Sequence, residues 1–251
     1  MIFNLVYKSA YILERLSAFA QGKGYGSKSI LQEIAVSKKL MQAQKSQLLI
    51  IDIGGNIGDY TYHLRKNFKG AEIHIFEPST VNVTYITQRF KHDPLVVLNP
   101  VGVSHSEGSF LLYSNEPGSG TASLSKRRMD HFNVSFDISE EIQTIRFENY
   151  WINQLDRRRI NFVKLDIEGH ELDALKGFGS AIQATELIQF EFGGCNLDTH
   201  TTFQDFYYFF QDHDYELYRI TPFGPEKIDK YHEIDEFYLT TNFIARNRSL
   251  L

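Results

Sequence analysis

The run QLLIIDIGG at 47–55 constrains this chain more than any other stretch. It is short, rich in β-branched residues, nearly unbroken in its apolar character, and stopped by two glycines. A strand with one wet face alternates apolar and polar residues, whereas a strand covered on both faces has no polar side to show. The run therefore predicts a strand inside a parallel sheet, and such a sheet needs helices as crossovers. The chain repeats that unit: a helix over 57–69, strand AEIHIFEPS (71–79), a helix over 80–92, and strand PLVVLNPVGVS (94–104), irregular at Pro100 and Gly102. SEGSFLLYS (106–114) predicts an extra hairpin strand after the turn signal Glu107-Gly108. Residues 116–140 are loop-rich, and TIRFENYW (144–151) reads as a short strand or a strand leading into a helix. NFVKLDIEG (161–169) is strand then turn, HELDALKGF (170–178) helix, ELIQFEFGG (186–194) strand and FQDFYYFFQDH (203–213) helix. YELYRITPFGP (215–225) and EFYLTTNFIARN (236–247) predict a closing antiparallel pair. The alternation gives an α/β, doubly wound, Rossmann-like sheet with an antiparallel C-terminal end.

Upstream of that sheet, Leu5, Ile12, Leu16 and Phe19 recur at helical spacing, so Met1 to Gln21 predicts an amphipathic helix. Lys8, Glu14 and Arg15 interrupt it, which excludes a signal peptide. GKGYGSKS breaks the helix and a second one follows from about Ile30 to Lys45. Residues 1–46 are thus expected to form a helical extension beside a domain at 47–251, as a cap or the contact in a homodimer, with a lid over a substrate or a membrane-surface anchor as the alternative. No apolar run approaches the roughly 20 residues of a membrane span. With 26 Lys and Arg against 31 Asp and Glu the net charge is −5, which argues against a nucleic-acid partner. The 20 Phe and 14 Tyr need a core, which excludes disorder. Phe203, Phe206, Tyr207 and Phe210 share one helix face and are expected there. The single Cys195 excludes an internal disulfide and a multi-thiolate metal site, fits a cytoplasmic protein, and is expected buried and unreactive. The triplets 126–128 (Lys-Arg-Arg) and 157–159 (Arg-Arg-Arg) read as solvated surface, with contact to an acidic acceptor as a second reading of the first.

In DIGGNIGDY (52–60), glycines at a strand end let a ligand approach the backbone, and a helix begins just after with its amides facing that ligand. A dinucleotide fingerprint G-x-G-x-x-G fits poorly, because Gly55 and Gly58 match its last two glycines but its first falls on Ile53. Asp52 is expected to project a carboxylate into the site, which repels a pyrophosphate and suits a ligand with a cationic end. S-adenosylmethionine, with its sulfonium and ammonium, is such a ligand. Glu77 ends the second strand, where a carboxylate can accept both ribose hydroxyls. An NAD-dependent oxidoreductase uses a similar acid, so Glu77 alone does not separate the cofactors. A third reading is a module that binds a nucleoside or glycan without turnover.

DIGGNIGDY, FEPS and above all FVKLDIEGHELDALKGF resemble the FkbM-type S-adenosylmethionine-dependent methyltransferases, from about Leu48 to Arg246. The resemblance implies a class I methyltransferase sheet and methyl transfer to hydroxyls of sugars, glycans, lipids or natural products. It implies that Asp52, Gly54, Asn56 and Glu77 hold the cofactor, with Gly102 and Asp166 counted among the same set. GSGTASL (118–124) is similar to a family loop expected to lie over the site. For the chemistry, Asp166, Glu168, His170 and Glu191 converge at the fourth and fifth strand ends of the main sheet. His170 is the natural base near neutral pH, although a helix-start histidine paired to a neighbour explains it equally well. Glu171 is expected to cap the helix or hold His170 in one tautomer. Asp166, Glu168 and Glu191 form an all-oxygen set that suits Mg²⁺, but His170 offers a metal-free route and no metal is assigned.

Overall fold

The computed structural model describes residues 2–26, 29–42 and 47–250. Helices α1 (Ile2–Ala20) and α2 (Ile30–Leu40) come first, and 43–46, the end of the expected second helix, lie outside the described residues. The winding then runs β1 (Leu49–Ile53), α3 (Asp59–Asn67), β2 (Glu72–Phe76), α4 (Thr80–Phe90) and β3 (Val96–Asn99). A small excursion follows: β4 (Gly102–Val103), β5 (Gly108–Ser114), β6 (Ile138–Ile145) and α5 (Phe147–Asn153). The chain returns through β7 (Ile160–Leu165), α6 (Glu171–Gly177), β8 (Thr185–Phe192), α7 (Cys195–Thr199) and α8 (Phe203–Asp212), and ends in β9 (Tyr215–Thr221), β10 (Gly224–Ile228) and β11 (Thr241–Asn247).

The main sheet has the order β10-β9-β11-β8-β7-β1-β2-β3. Its strands β3, β2, β1, β7 and β8 are parallel, with β3 at the edge, as the apolar runs of the inner ones require. Every residue of β1 is buried: Ile51 and Ile53 pack on one face and Ile50 on the other. The expected antiparallel pair is β9 with β11, but β11 wedges between β8 and β9, and β10 pairs outside β9 as an unanticipated edge. The chain walks outward from β1 to β3 and then comes back to lay β7 on the other side of β1. This reversal opens a crevice at the strand carboxyl ends, where α/β sheets bind their ligands.

The expected strand over 94–104 is corrected. Pro100 has no N–H to give the sheet, Val101 N–H turns back onto Asn99 O (2.9 Å), and the chain leaves β2. Gly102 and Val103 then pair with Thr144 and Ile145 in a second sheet of order β4-β6-β5. That sheet forms a wall beside the carboxyl ends of β1 and β2.

Helix α2 is not a loose appendage. Ile34, Val36 and Leu40 join the cluster that holds Ile50, Tyr60, Leu64 and Phe162. Its buried Glu33 accepts hydrogen bonds from Ser29 (2.7 Å), Asn242 (3.2 Å) and Gln189. Helix α1 differs, since Ile12, Leu16 and Phe19 are more than half exposed. No helix among the described residues is long and apolar enough to cross a membrane.

The aromatic run on α8 is core, as its spacing predicts. Phe190 on β8 stacks on Phe206 (4.7 Å between centroids), Phe210 (5.2 Å) and Phe243 (5.4 Å). Phe203, Phe206 and Phe210 are buried and Tyr207 is partly so. Phe190→Ala should therefore lower the unfolding free energy by about 3–5 kcal/mol, the usual cost of truncating a buried Phe. Urea denaturation checks this, and a loss below about 1 kcal/mol would show that the stack collapses around the cavity.

Candidate active site

Three strand ends meet at one glycine. Gly54 N–H (2.9 Å) and Gly55 N–H (3.1 Å) both donate to Phe76 O of β2, and Asp166 N–H donates to Ile53 O (3.0 Å) from β7. Gly54 has φ +84°, and a Cβ there would lie 1.9 Å from Asp166 O. Only glycine fits both the conformation and the approach. The turn then leads through Asn56, itself left-handed at φ +46°, into α3.

This junction separates two adjoining crevices. The first lies around Glu77, over the ends of β1 and β2. Glu77 Oε2 accepts from Asn56 N–H (2.8 Å), and Oε1 from Ser79 N–H (3.0 Å) and Asn82 Nδ2 (3.3 Å). Around it lie Gly54, Asn56, Asn82 and Gly102, an apolar side made by Phe76, Val103, Leu112 and Ile142, and the edge residues Asp166, Glu168 and His170. Ser119, Gly120, Ala122, Ser123 and Leu124 form the roof, so the 118–124 loop lies over the site as its sequence implied. The space between these walls is about 70 Å³. Asn56 Oδ1 and Asn82 Oδ1 are buried there with no hydrogen-bond partner, which is costly unless a ligand supplies a donor.

The second crevice, of about 320 Å³, surrounds Lys164 on the other side of the junction. It shares Gly54, Asn56, Gly120, Asp166 and Glu168 with the first and adds Glu33, Tyr60, Glu191 and Asn242. Lys164 Nζ donates to Asp166 (2.9 Å), whose side chain is 38% exposed. Burial pushes the Lys164 ammonium down, but Asp166, Glu33 and Glu191 outweigh it and hold its pKa above the ordinary lysine value.

The expected residues fall into distinct places. Glu77, Gly54, Asn56, Gly102, Asp166, Glu168 and His170 all border the first crevice. Asp52 does not. Strand alternation turns it toward α3, where it is 1% exposed and accepts from Thr61 Oγ1 (2.6 Å). It borders neither crevice, and burial raises its carboxyl to about 6. Glu191 borders only the second crevice, apart from His170. Burial together with Asp166 and Glu168 holds the Glu191 carboxyl well above the usual range. Among the described residues, no three His, Cys, Asp or Glu side chains are placed to hold a metal ion, Asp166, Glu168 and Glu191 included.

The LDIEGH turn is organised by Glu171, which is fully buried and accepts from Ile167 N–H (2.9 Å) and Gly169 N–H (3.1 Å). Glu171 therefore caps the turn and does not hold His170. That role belongs to Asp173, whose Oδ2 lies 3.3 Å from His170 Nδ1, while Ser125 Oγ lies 3.0 Å from Nε2. Glu168 sits at φ +54°, a strained conformation for a side chain of its size. Burial and then Asp166 raise its carboxyl to about 8, against the opposing pull of Arg127. Arg127 is the unexpected member. The 126–128 triplet reads as solvated, yet this side chain is 9% exposed, 2.6 Å from Glu168 and 3.5 Å from Asp198. Arg158 and Arg159 of the other triplet pair with Glu72 (2.7 Å) and Glu186 (2.9 Å). Cys195 is buried, and burial pushes its thiol up, away from reactivity.

Some of these partners leave a trace in the sequence. Asp173 stands three residues after His170, one helical turn along, and Lys164 is a lone cation in an apolar strand. Arg127 and Glu33 leave none, because they come from a loop and a helix far along the chain.

Burial raises the Glu77 carboxyl from 4.5 to about 7, although the Ser79 and Asn56 amides and Asn82 pull it down. A folded-state value above the unfolded one means that folding takes up a proton. The contribution of Glu77 to stability is therefore full below about 4.5 and lost as the pH rises through about 7. Urea midpoints of the unliganded protein should fall across that window, and Glu77→Gln should flatten the fall. An unchanged slope in the variant would assign it to another group.

A sequence profile described as the Methyltransferase FkbM domain matches residues 52–217, more than half of the chain. Methyltransferase 1 of Beauveria bassiana is 24% identical over 142 residues, covering 51% of this chain and 57% of that protein. The hexuronic acid methyltransferase AglP of Haloferax volcanii is 28% identical over 155 residues, covering 61% and 59%. The chain thus matches well under two thirds of the length of either relative. Among solved structures, TrmK of M. capricolum in complex with S-adenosyl-homocysteine superposes with a TM-score of 0.45 at 10% identity, covering 86% of this chain and 67% of that one. The profile match takes in the glycine junction, Glu77 and the LDIEGH turn together, and the chain belongs to the FkbM methyltransferase domain family.

Proposed function

We propose that this chain transfers a methyl group from S-adenosylmethionine to a hydroxyl of a sugar, glycan, lipid or natural product. The observation that carries this reading is the Glu77 cradle. A carboxylate at the end of β2 is held rigidly by two backbone amides, beside two buried asparagine oxygens with nothing to accept from. A nucleoside supplies the missing donors, with ribose hydroxyls for Glu77 and Asn56 and a flat apolar ring for the side made by Phe76, Val103, Leu112 and Ile142. A pyrophosphate finds no such welcome, because the other crevice at the junction is rich in carboxyls.

Asp166, rather than the hidden Asp52, is the exposed carboxylate at the junction and the group suited to a cationic end of the cofactor. When bound, S-adenosylmethionine supplies an electrophilic methyl on a sulfonium, with a thioether as leaving group. The residues then have to align the acceptor hydroxyl and take its proton. Alignment is worth about 7–11 kcal/mol, and a general base typically about 10²–10⁴-fold.

Glu168 suits that base better than His170. It borders both crevices and its carboxyl is raised to about 8, close to working pH. Both nitrogens of His170 are already engaged, by Asp173 and Ser125, and it borders only the first crevice. Its role is to pin the roof loop to the start of α6. Asp166 and Glu191 complete the carboxyl set around it.

Two measurements test these assignments. Glu77→Ala should weaken S-adenosylmethionine binding at least about tenfold, since one hydrogen bond to a charged group is worth about 1.5–3 kcal/mol. Calorimetry on the folded variant reads this directly, and unchanged affinity would sink the cofactor assignment. With an acceptor in hand, Glu168→Gln should lower kcat by about 10²–10⁴-fold and His170→Ala by less than about tenfold. The reverse order would return the proton transfer to His170. Saturable S-adenosylmethionine binding with no S-adenosylhomocysteine formed over a wide acceptor panel would favour the non-catalytic module.

A further inference from the structure

Helix α1 carries its apolar side outward. Among residues 6–20 only Ala18 is buried, at the point where the chain folds back. There the N–H groups of Gln21, Gly22 and Lys23 donate to the carbonyls of Ser17, Phe19 and Ala18 (3.0, 2.9 and 2.9 Å). At 3.6 residues per turn, Val6, Ile12, Leu13, Leu16 and Phe19 lie about 100–160° around the helix from Ala18. The apolar stripe therefore faces away from the contact that holds the helix, and its members are exposed by 51% at Phe19 up to 66% at Leu13. A monomer in water rarely leaves such a stripe uncovered, because a helix draws most of its stability from burying that face.

The root of the helix is firm. The chain passes so close to β9 that a Cβ at Gly22 would lie 2.4 Å from Ile220 O. Lys23 is buried and gives its Nζ to Ile234 O (2.7 Å), and Gly26 N–H donates to Thr240 O (3.1 Å). Strands β8 and β9 run the same way, since both are antiparallel to β11. The root thus sits at the edge of the sheet that carries the crevices. Two further exposed apolar side chains stand beside it: Phe223, which shares a cleft with Ala20 and Gln21, and Ile234, whose carbonyl holds Lys23.

Charge decides what covers the stripe. Lys8 and Arg15 follow one flank of it, about 80° and 100° from Leu16, whereas Glu14 lies about 160° away on the far side. Two copies of α1 packed on this stripe gain no ion pair from that flank. Packed in parallel, the cations meet Val6 and Leu13; packed antiparallel, they meet the same two cations of the second copy. A layer of anionic headgroups over hydrocarbon answers both features. The stripe enters the acyl boundary, and the two long cationic side chains reach the headgroups. The helix lies on such a surface and does not cross it, since no helix among the described residues is long and apolar enough to span.

We infer that α1 is an interfacial helix, which lies on a lipid surface bearing anionic headgroups with Val6, Ile12, Leu13, Leu16 and Phe19 in the acyl boundary. The assignment is independent of the methyl-transfer reading. The firm root then keeps the crevice edge of the sheet close to that surface.

Sedimentation of the full chain with lipid vesicles tests it. Vesicles of two parts phosphatidylcholine to one part phosphatidylglycerol should bind the protein. Phosphatidylcholine alone should bind it at least about tenfold more weakly, because each cation beside an anionic surface is worth about fivefold. Lys8→Gln together with Arg15→Gln should weaken binding to the mixed vesicles by a similar factor. Leu16→Glu should abolish binding to both kinds. All three side chains are exposed, so the variants should melt as the parent does; should Leu16→Glu not do so, Leu13→Ser takes its place. No binding to the mixed vesicles, equal binding to both kinds, or binding that survives Leu16→Glu would each overturn the assignment. So would a lipid-free dimer, read by sedimentation equilibrium, that Leu16→Glu turns into a monomer, since the stripe would then belong to a second copy.

Discussion

Everything in the site depends on how closely the carboxyl ends of β1, β2 and β7 are drawn together at Gly54. Three backbone hydrogen bonds tie these ends, and the carbonyl of Asp166 occupies the place where any side chain at 54 would have to go. A larger residue would push β7 away from β1, and Asp166 and Glu168 would move with it. The two crevices would then merge into one gap without a shared wall. The same junction aims the Asn56 amide at Glu77, so the cradle and the strand register are one arrangement.

The second organising fact is the number of carboxyl groups brought into a poorly solvated space. Asp52, Glu77 and Glu168 are raised to about 6, 7 and 8, in each case chiefly by burial. Such crowding works against the fold. It persists here where hydrogen bonds from Thr61, Asn56 and Ser79 or ion pairs to Lys164 and Arg127 hold part of it in check. Perturbed acids gathered in a cleft are a feature of functional sites. The small β4-β6-β5 sheet and the 118–124 loop add little to the main core, yet they wall and roof the crevice around Glu77. Arg127, Ser123 and Ser125 tie that roof to Glu168 and His170.

The sheet was legible because burial on both faces leaves a pattern that composition alone enforces. LIIDI, EIHIF and INFVKL have at most two polar positions each, and the glycines and acids at their ends marked the functional edge. The role of α8 followed from helical spacing alone. The break at Pro100 was visible, but not that the chain beyond it would join a different sheet. That depended on β6, about forty residues later.

The sequence by itself determined the winding, the glycine junction, the strand-end acids and the family, since each is a local pattern of residue types in short stretches of chain. Tertiary structure alone decided which acids meet which crevice. Asp52 lies two positions from the first glycine, yet strand alternation turns it toward α3 and hides it, while Asp166, just past the end of β7, stays open. Glu33 and Arg127, from segments read as appendage and surface, come to Lys164 and Glu168 only through packing. A charge's environment is set by neighbours distant in the chain, and no local spacing encodes them.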